Sequence, residues 1–124
     1  MQGRLDELAL ATGGTVGIAA TQLASGRHLG MRENELFPLA SLVKVPILVA
    51  LYEAIRGGEI DPRERVRYAE ATRVPGSGIL QDLDDGLELT VRDVATLMIA
   101  ISDNTAADLL LARVGKPRVE AVMD

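Results

Sequence analysis

The segment from Ser41 to Ile55 reads SLVKVPILVALYEAI and contains the longest uninterrupted apolar run of the chain, the eight residues from Val45 to Tyr52. Apolar side chains fall on every face of a helix drawn through Leu36–Ile55, a pattern typical of a helix at the centre of a protein. We therefore predict a central, buried helix here. Crossing a bilayer takes about 20 apolar residues, so this run predicts no membrane span.

The residues before this helix predict a short helix and one β-hairpin. Apolar positions at helical spacing run from Leu5 to Thr12 and end at Gly13-Gly14. Two stretches that favour extended structure, Thr15–Thr21 and Arg27–Met31, flank a turn at Ser25-Gly26.

The residues after the central helix predict a loop-rich connection and then three more helices. The connection is polar and runs to about Gly86. Thr90, with Asp93 three residues later, predicts the N-terminal cap of a buried helix that ends near Ser102. Two further helices are predicted, over Asn104–Val114 and from Pro117 onward.

Length and composition fit one folded domain. The chain has 124 residues, 48% of them hydrophobic and 25% charged, which is typical of a globular protein. We predict a single α+β domain, with the first helix and the hairpin in residues 1–36 and a helical subdomain in residues 37–124. The net charge of −5 predicts no nucleic-acid partner. The absence of cysteine excludes disulfides, thiolate zinc sites and cysteine nucleophiles.

Ser41 and Lys44 are the first candidates for chemistry. Side chains three residues apart on a helix share a face. A lysine can take a serine's proton only as a neutral amine, which burial and the positive end of the helix dipole both favour. The alternative is that Ser41 is only a helix cap and Lys44 a lysine whose stem packs on the surface. The single histidine, His28, lies at the hairpin and predicts no Ser-His-Asp triad.

The tripeptide Ser102-Asp103-Asn104 is the second candidate, because it follows a predicted apolar helix and precedes another. Its alternative explanation is helix capping, for which serine, aspartate and asparagine are all preferred. Taken together with Ser41-x-x-Lys44, however, the tripeptide predicts one shared acyl-transfer site.

The two motifs together resemble the serine β-lactamases and penicillin-binding proteins, and their separation of 61 residues resembles that of the class A β-lactamases. The flanking stretches Phe37–Ala40, Leu89–Asp93 and Leu97–Ala107 support the resemblance. It implies a bacterial hydrolase that opens β-lactam bonds, an activity that confers antibiotic resistance. It also implies that Ser41 is the acylated nucleophile and that Lys44 accepts its proton, directly or through water.

The resemblance assigns roles to the remaining residues as well. Ser102 would pass a proton to the leaving nitrogen, and Asn104 would hold the side-chain amide of the substrate and Lys44. Asp103 would be structural, and Ile79 would lie near the rim of the cleft. No metal and no organic cofactor is implied. A peptidase or esterase similar to penicillin-binding proteins, and a non-catalytic binding module, remain alternatives.

The family's third motif, Lys-Thr-Gly, and its deacylating glutamate match nothing in these 124 residues. We therefore expect the N-terminal portion of a class A-like fold, weakly active or inactive alone. Its hairpin would have an open edge, so we expect a homo-oligomer or a complementing C-terminal fragment. The first residues predict no signal peptide, which leaves a cytosolic location open, whereas the resemblance implies a periplasmic or secreted one.

Overall fold

A computed structural model describes residues 2–124, whose contacts divide the chain into one unit that ends at Pro38 and another that begins at Leu39. Within these residues the fold has five α-helices and two antiparallel sheets of two strands each. The predicted α+β class is confirmed. The second sheet was not predicted.

The first unit consists of one helix and the β-hairpin. Helix α1 spans Gln2–Ala11, and strands β1 (Ile18–Thr21) and β2 (His28–Met31) pair with Ile18 opposite Met31 and Thr21 opposite His28. The turn closes with a 2.9 Å hydrogen bond from the Gly26 N–H to the Gln22 carbonyl. Thr21 Oγ1 lies 2.9 Å from His28 Nδ1, and His28 Nε2 contacts the Glu33 carboxylate. The histidine therefore belongs to a cross-strand polar cluster of the hairpin.

The second unit is built around helix α2, Lys44–Arg56, which follows a 3-10 turn over Ala40–Val43. The prediction that the helix starts at Leu36 was wrong. Ala40 has a φ of +46°, which an α-helix cannot contain, so the regular helix begins only after the turn. Pro46 is the third residue of α2, where a helix has no intrahelical partner for an N–H and proline costs little.

Two strands and three helices follow α2, and the three helices pack against it. Strands β3 (Arg65–Arg67) and β4 (Glu88–Thr90) pair with Val66 opposite Leu89. Helices α3 (Val91–Ala100), α4 (Asn104–Val114) and α5 (Lys116–Met123) complete the unit. The predicted capping box is confirmed, because Thr90 Oγ1 accepts from the Asp93 N–H and Asp93 Oδ2 accepts from the Thr90 N–H, both at 3.1 Å. Strand β4 occupies the residues directly before α3, where no strand was predicted.

The hydrophobic core lies on one side of α2. The helix buries Ile47, Ala50, Leu51 and Ala54 against α3, α4 and α5. The opposite side is not covered, and its large apolar side chains are exposed: Val45, Val49 and Tyr52. The prediction of a helix buried on every face was therefore wrong within the described residues, because the other helices pack on one side only. No helix in residues 2–124 is both long and apolar enough to span a membrane.

An ion pair links the start of β3 to α4. Arg113 donates from Nε to Glu64 Oε1 at 2.6 Å and from Nη2 to Glu64 Oε2 at 3.0 Å. The hydrogen bond from Arg113 holds the pKa of the Glu64 carboxyl below its ordinary value. A carboxyl with a lowered pKa in the folded state stabilises the fold above its ordinary pKa. That stabilisation is lost as the pH falls through the lowered pKa.

We expect Glu64→Gln to reduce the free energy of unfolding by about 0.5–1 kcal/mol at pH 7, the range for exposed but well-aligned ion pairs. Urea unfolding at pH 7 and in acid measures this, and the two proteins should converge in acid. Glu120→Gln is the control, because its carboxylate lies 3.5 Å from Lys116 Nζ at an exposed site. A Glu64→Gln variant as stable as the wild type at pH 7 would contradict the assignment.

Candidate active site

Ser41 lies in the 3-10 turn that leads into α2, and Lys44 is the first residue of that helix. The Ser41 residue is exposed, whereas Lys44 is only 5% exposed. The left-handed φ of Ala40 just before Ser41 is a conformation that costs a non-glycine residue about 1–2 kcal/mol. Strain of this kind persists where surrounding contacts enforce it, and it concentrates at functional sites.

The Lys44 amino group joins the two motifs. Nζ lies 2.5 Å from the Ser102 carbonyl oxygen, 2.9 Å from Ser102 Oγ and 2.8 Å from Asn104 Oδ1. It lies 3.4 Å from Ser41 Oγ. Ser102 Oγ in turn is 3.0 Å from Ser41 Oγ. The structure therefore brings Ser41, Lys44, Ser102 and Asn104 together, although 61 residues separate the two serines.

The hydrogen-bond partners of Lys44 differ in whether they can only accept or can also donate a proton. The Ser102 carbonyl and Asn104 Oδ1 can only accept, so they take two of the amino group's N–H donors in either protonation state. The third position faces the two hydroxyl groups. There an ammonium donates to Ser102 Oγ, whereas a neutral amine accepts a proton from a serine hydroxyl. The geometry thus leaves one hydrogen-bonding direction of the Lys44 amino group for proton transfer.

Ser102 is presented by the sharp junction between α3 and α4. Its φ is +58°, so the chain leaves α3 in a left-handed conformation, and both its carbonyl and its hydroxyl reach Lys44. Asparagine, aspartate and glycine enter this region most readily, and serine does so at a cost. Strained backbone of this kind concentrates at functional sites, which makes this junction a candidate functional feature.

Asp103 is buried, and its carboxylate accepts hydrogen bonds from three backbone N–H groups. Oδ1 accepts from the Ala106 N–H at 2.9 Å and thereby caps α4. Oδ2 accepts from the N–H groups of Ile79 at 2.7 Å and Leu80 at 2.9 Å. The Ile79 N–H is thus bonded to Asp103, and the Ile79 side chain is about half exposed.

Two open cavities of about 410 Å³ flank the site and share Ala40, Ser41 and Lys44 in their walls. One is bordered by Ser102 and Met98, and the other by Asn104. A ligand in either would reach the Ser41 hydroxyl. No group of three His, Asp or Glu side chains that could hold a metal ion occurs in the described part of the chain.

Sequence reasoning missed several contributors to the site. Ala40 carries no sequence signal for a left-handed conformation. The backbone from Val74 to Ser77 also reaches the site, where Asn104 Nδ2 donates to the Pro75 carbonyl at 3.1 Å and the Asn104 N–H donates to the Ser77 carbonyl at 2.9 Å. The cluster Pro75-Gly76-Ser77-Gly78 signals a loop, but nothing in it indicates that the loop contacts Asn104.

Comparison with known proteins finds a consistent set of relatives. The sequence model of the "Beta-lactamase enzyme family" matches residues 1–124. The β-lactamase from Sphaerobacter thermophilus DSM 20745 is 40% identical, with a TM-score of 0.87 over 96% of this chain and 44% of that one. An ancestral class A β-lactamase is 30% identical, with a TM-score of 0.82 over 97% of this chain and 46% of that one.

A second kind of relative is PBP-A. It is 32% identical to this chain, with a TM-score of 0.84 over 97% of this chain and 46% of PBP-A, and a variant of it was solved as an acyl-enzyme complex with penicillin G. The present chain spans less than half the length of each of these structures. These likenesses confirm the class A resemblance and the expected truncated class A-like fold.

Asp103→Ala should destabilise the fold by about 3 kcal/mol or more, because it leaves three backbone N–H groups without their acceptor, at about 1–3 kcal/mol for each that is buried. Chemical denaturation measures the change. Asp108→Ala is the matched control, an exposed aspartate in the same helix, and should change stability by less than about 0.5 kcal/mol. Equal losses in the two variants would contradict the role assigned to Asp103.

Proposed function

Because the chain belongs to the beta-lactamase enzyme family, we propose that it is a serine hydrolase of class A type that opens β-lactam amide bonds through an acyl-enzyme on Ser41. The observation that carries this proposal is the triangle formed by Ser41 Oγ, Ser102 Oγ and Lys44 Nζ. The alternative explanation of Ser41 as a mere cap is disfavoured, since Val43 occupies the N-cap position of α2 and the Ser41 hydroxyl contacts Lys44 Nζ and Ser102 Oγ instead.

Ser41 Oγ attacks the carbonyl carbon of the lactam, and its proton leaves toward Lys44. The direct contact is 3.4 Å, whereas the path through Ser102 Oγ has legs of 3.0 and 2.9 Å. We therefore favour Ser102 as the carrier of this proton to the Lys44 amine. The tetrahedral intermediate then breaks its C–N bond, and Ser102 returns a proton to the leaving nitrogen.

Asn104 is proposed to hold the substrate beside Ser41. Its Oδ1 is occupied by Lys44, and one of its two Nδ2 protons is directed at the Pro75 carbonyl. The second Nδ2 proton can donate to the carbonyl oxygen of an acylamino side chain on the substrate. Ile79 is proposed to lie near the rim of the cleft, on the strength of the family resemblance, and it lines neither of the two cavities at Ser41. Neither a metal nor an organic cofactor enters this scheme.

A second candidate is a peptidase or esterase that forms the same acyl-enzyme but hydrolyses it slowly. The observation that favours it is the likeness to PBP-A, which reaches the same TM-score for the penicillin-acylated variant. Acylation uses Ser41, Lys44 and Ser102 in both schemes. The two functions therefore differ only in how fast the ester is hydrolysed. The family membership is also our basis for proposing a bacterial, periplasmic or secreted hydrolase that contributes to antibiotic resistance.

We expect a fluorescent penicillin to label the 124-residue polypeptide covalently at Ser41, as read by intact mass and peptide mapping. Ser41→Ala should abolish labelling, and Ser102→Ala should slow it about 10²- to 10⁴-fold, as expected when a proton carrier is lost. Ser25→Ala is the control, a serine of the exposed hairpin turn. Labelling that survives Ser41→Ala, or no labelling either alone or with the complementing C-terminal fragment, would contradict an acyl-transfer function and favour a non-catalytic binding module.

Turnover of a chromogenic cephalosporin separates the two enzymatic functions. We expect a long-lived acyl-enzyme with little turnover from these 124 residues, because none of them matches the family's deacylating glutamate. Rapid turnover that disappears in Ser41→Ala would show that hydrolysis needs no further residue.

We also propose that the polypeptide associates, either with a second copy or with a complementing C-terminal fragment. The exposed apolar side of α2 and the two-stranded hairpin support this. A large exposed apolar surface favours association, and an isolated two-stranded hairpin is only marginally stable in water. Association that stabilises only the folded form raises its stability with concentration. The melting temperature should therefore rise over a hundredfold increase in concentration. An unchanged melting temperature and a monomer by light scattering would contradict association with itself.

A further inference from the structure

The segment Val74–Gln81, which we call the glycine loop, is fastened to the first residues of α4. Asp103 accepts from two of its N–H groups, the Asn104 N–H donates to the Ser77 carbonyl, and Thr105 Oγ1 exchanges hydrogen bonds of 3.1 and 3.3 Å with the Val74 backbone. Asp103 and Thr105 are each 1% exposed. Three consecutive residues, Asp103, Asn104 and Thr105, therefore fix the loop.

The loop in turn fixes the side-chain amide of Asn104. Nδ2 donates to the Pro75 carbonyl at 3.1 Å, and Oδ1 accepts from Lys44 Nζ at 2.8 Å. A carbonyl can only accept and a lysine amine at this position donates, so a rotated amide would meet both partners with the wrong atoms. The Pro75 carbonyl thus decides which atom of Asn104 faces Lys44.

Gly76 is the residue that allows this arrangement. Its φ is +115°, and a Cβ added there would lie 2.6 Å from Asn104 Nδ2, closer than the normal range for a hydrogen bond and far inside van der Waals contact. Gln81 Nε2 holds the loop in this shape by donating to the Gly76 carbonyl at 2.7 Å and to the Gly78 carbonyl at 3.3 Å. The Asn104 amide therefore lies in the space that a side chain at position 76 would occupy.

We propose that Gly76 is a positioning residue for acylation, which acts through Asn104 on Lys44 and on the substrate amide. This inference rests on the proposed function. Any side chain at position 76 pushes the Asn104 amide away from the Pro75 carbonyl, so that Oδ1 no longer meets Lys44 and Nδ2 no longer faces the substrate. A charge-assisted hydrogen bond is lost in the process, which corresponds to about a 10- to 100-fold slower acylation.

The test compares Gly76→Ala with Gly58→Ala. Gly58 has a φ of +76° and open space where a Cβ would lie, so this control carries left-handed strain without a steric contact and lies outside the site. Labelling of Ser41 by a fluorescent penicillin should be about 10- to 100-fold slower in Gly76→Ala than in the control. Melting curves of both variants establish that each is folded at the assay temperature.

A double-mutant cycle with Asn104→Ala separates positioning from general damage. If Gly76 acts through Asn104, Gly76→Ala should slow labelling no further once Asn104 is alanine. The Asn104 side-chain NH₂ resonances in a ¹⁵N spectrum should also shift in Gly76→Ala and not in Gly58→Ala. An equal slowing in both backgrounds, or unmoved Asn104 resonances, would overturn the proposal.

The same ¹⁵N spectra distinguish a failure of the proposed acyl-transfer function from a failure of the proposed role of Gly76. If the wild type is not labelled at Ser41, the proposed acyl-transfer function fails, and the Asn104 resonances alone then test the positioning. A shift confined to Gly76→Ala would still support control of the amide by the loop. Resonances that are identical in the wild type and in Gly76→Ala would overturn it regardless of activity.

Discussion

The buried amino group of Lys44 is the constraint on which the site depends. Lys44 is only 5% exposed, and its amino group needs polar partners because burying a charged or polar group without them is costly. Its partners come from the junction between α3 and α4, 58 and 60 residues further along the chain. The junction must therefore lie against the first turn of α2, and this contact brings the two serine hydroxyls together. The strained backbone at Ala40 and Ser102 lies on the two sides of the same contact.

The two motifs and the helices that carry them could be predicted, because both depend on local chemistry. The cap at Thr90, the start of α4 after Asp103 and the end at Gly115 follow from side chains and backbone conformations within a few residues. The resemblance carried by Ser41-x-x-Lys44 and Ser102-Asp103-Asn104 predicted which residues meet.

The features that could not be predicted depend on contacts between distant residues. Strand β3 has three residues, Arg65-Val66-Arg67, and its one apolar residue, Val66, pairs with Leu89, 23 residues further along the chain. No periodicity can be read from one position. The exposed side of α2 was missed for a related reason, since Val45 and Ile47 are equally apolar in the sequence and only the position of the other helices distinguishes them.

The left-handed conformation of Ser102 restricts which sequences can carry this site. Threonine is the only other aliphatic hydroxyl among the standard amino acids, but its branched Cβ is strongly disfavoured at a φ of +58°. Glycine or asparagine would relax the backbone and remove the hydroxyl. A substitution at position 102 therefore either keeps the hydroxyl and adds backbone strain, or relaxes the backbone and removes the hydroxyl. Sequences that keep the hydroxyl keep the less stable backbone there, and sequences that relax the backbone lose the proposed proton carrier in the same step.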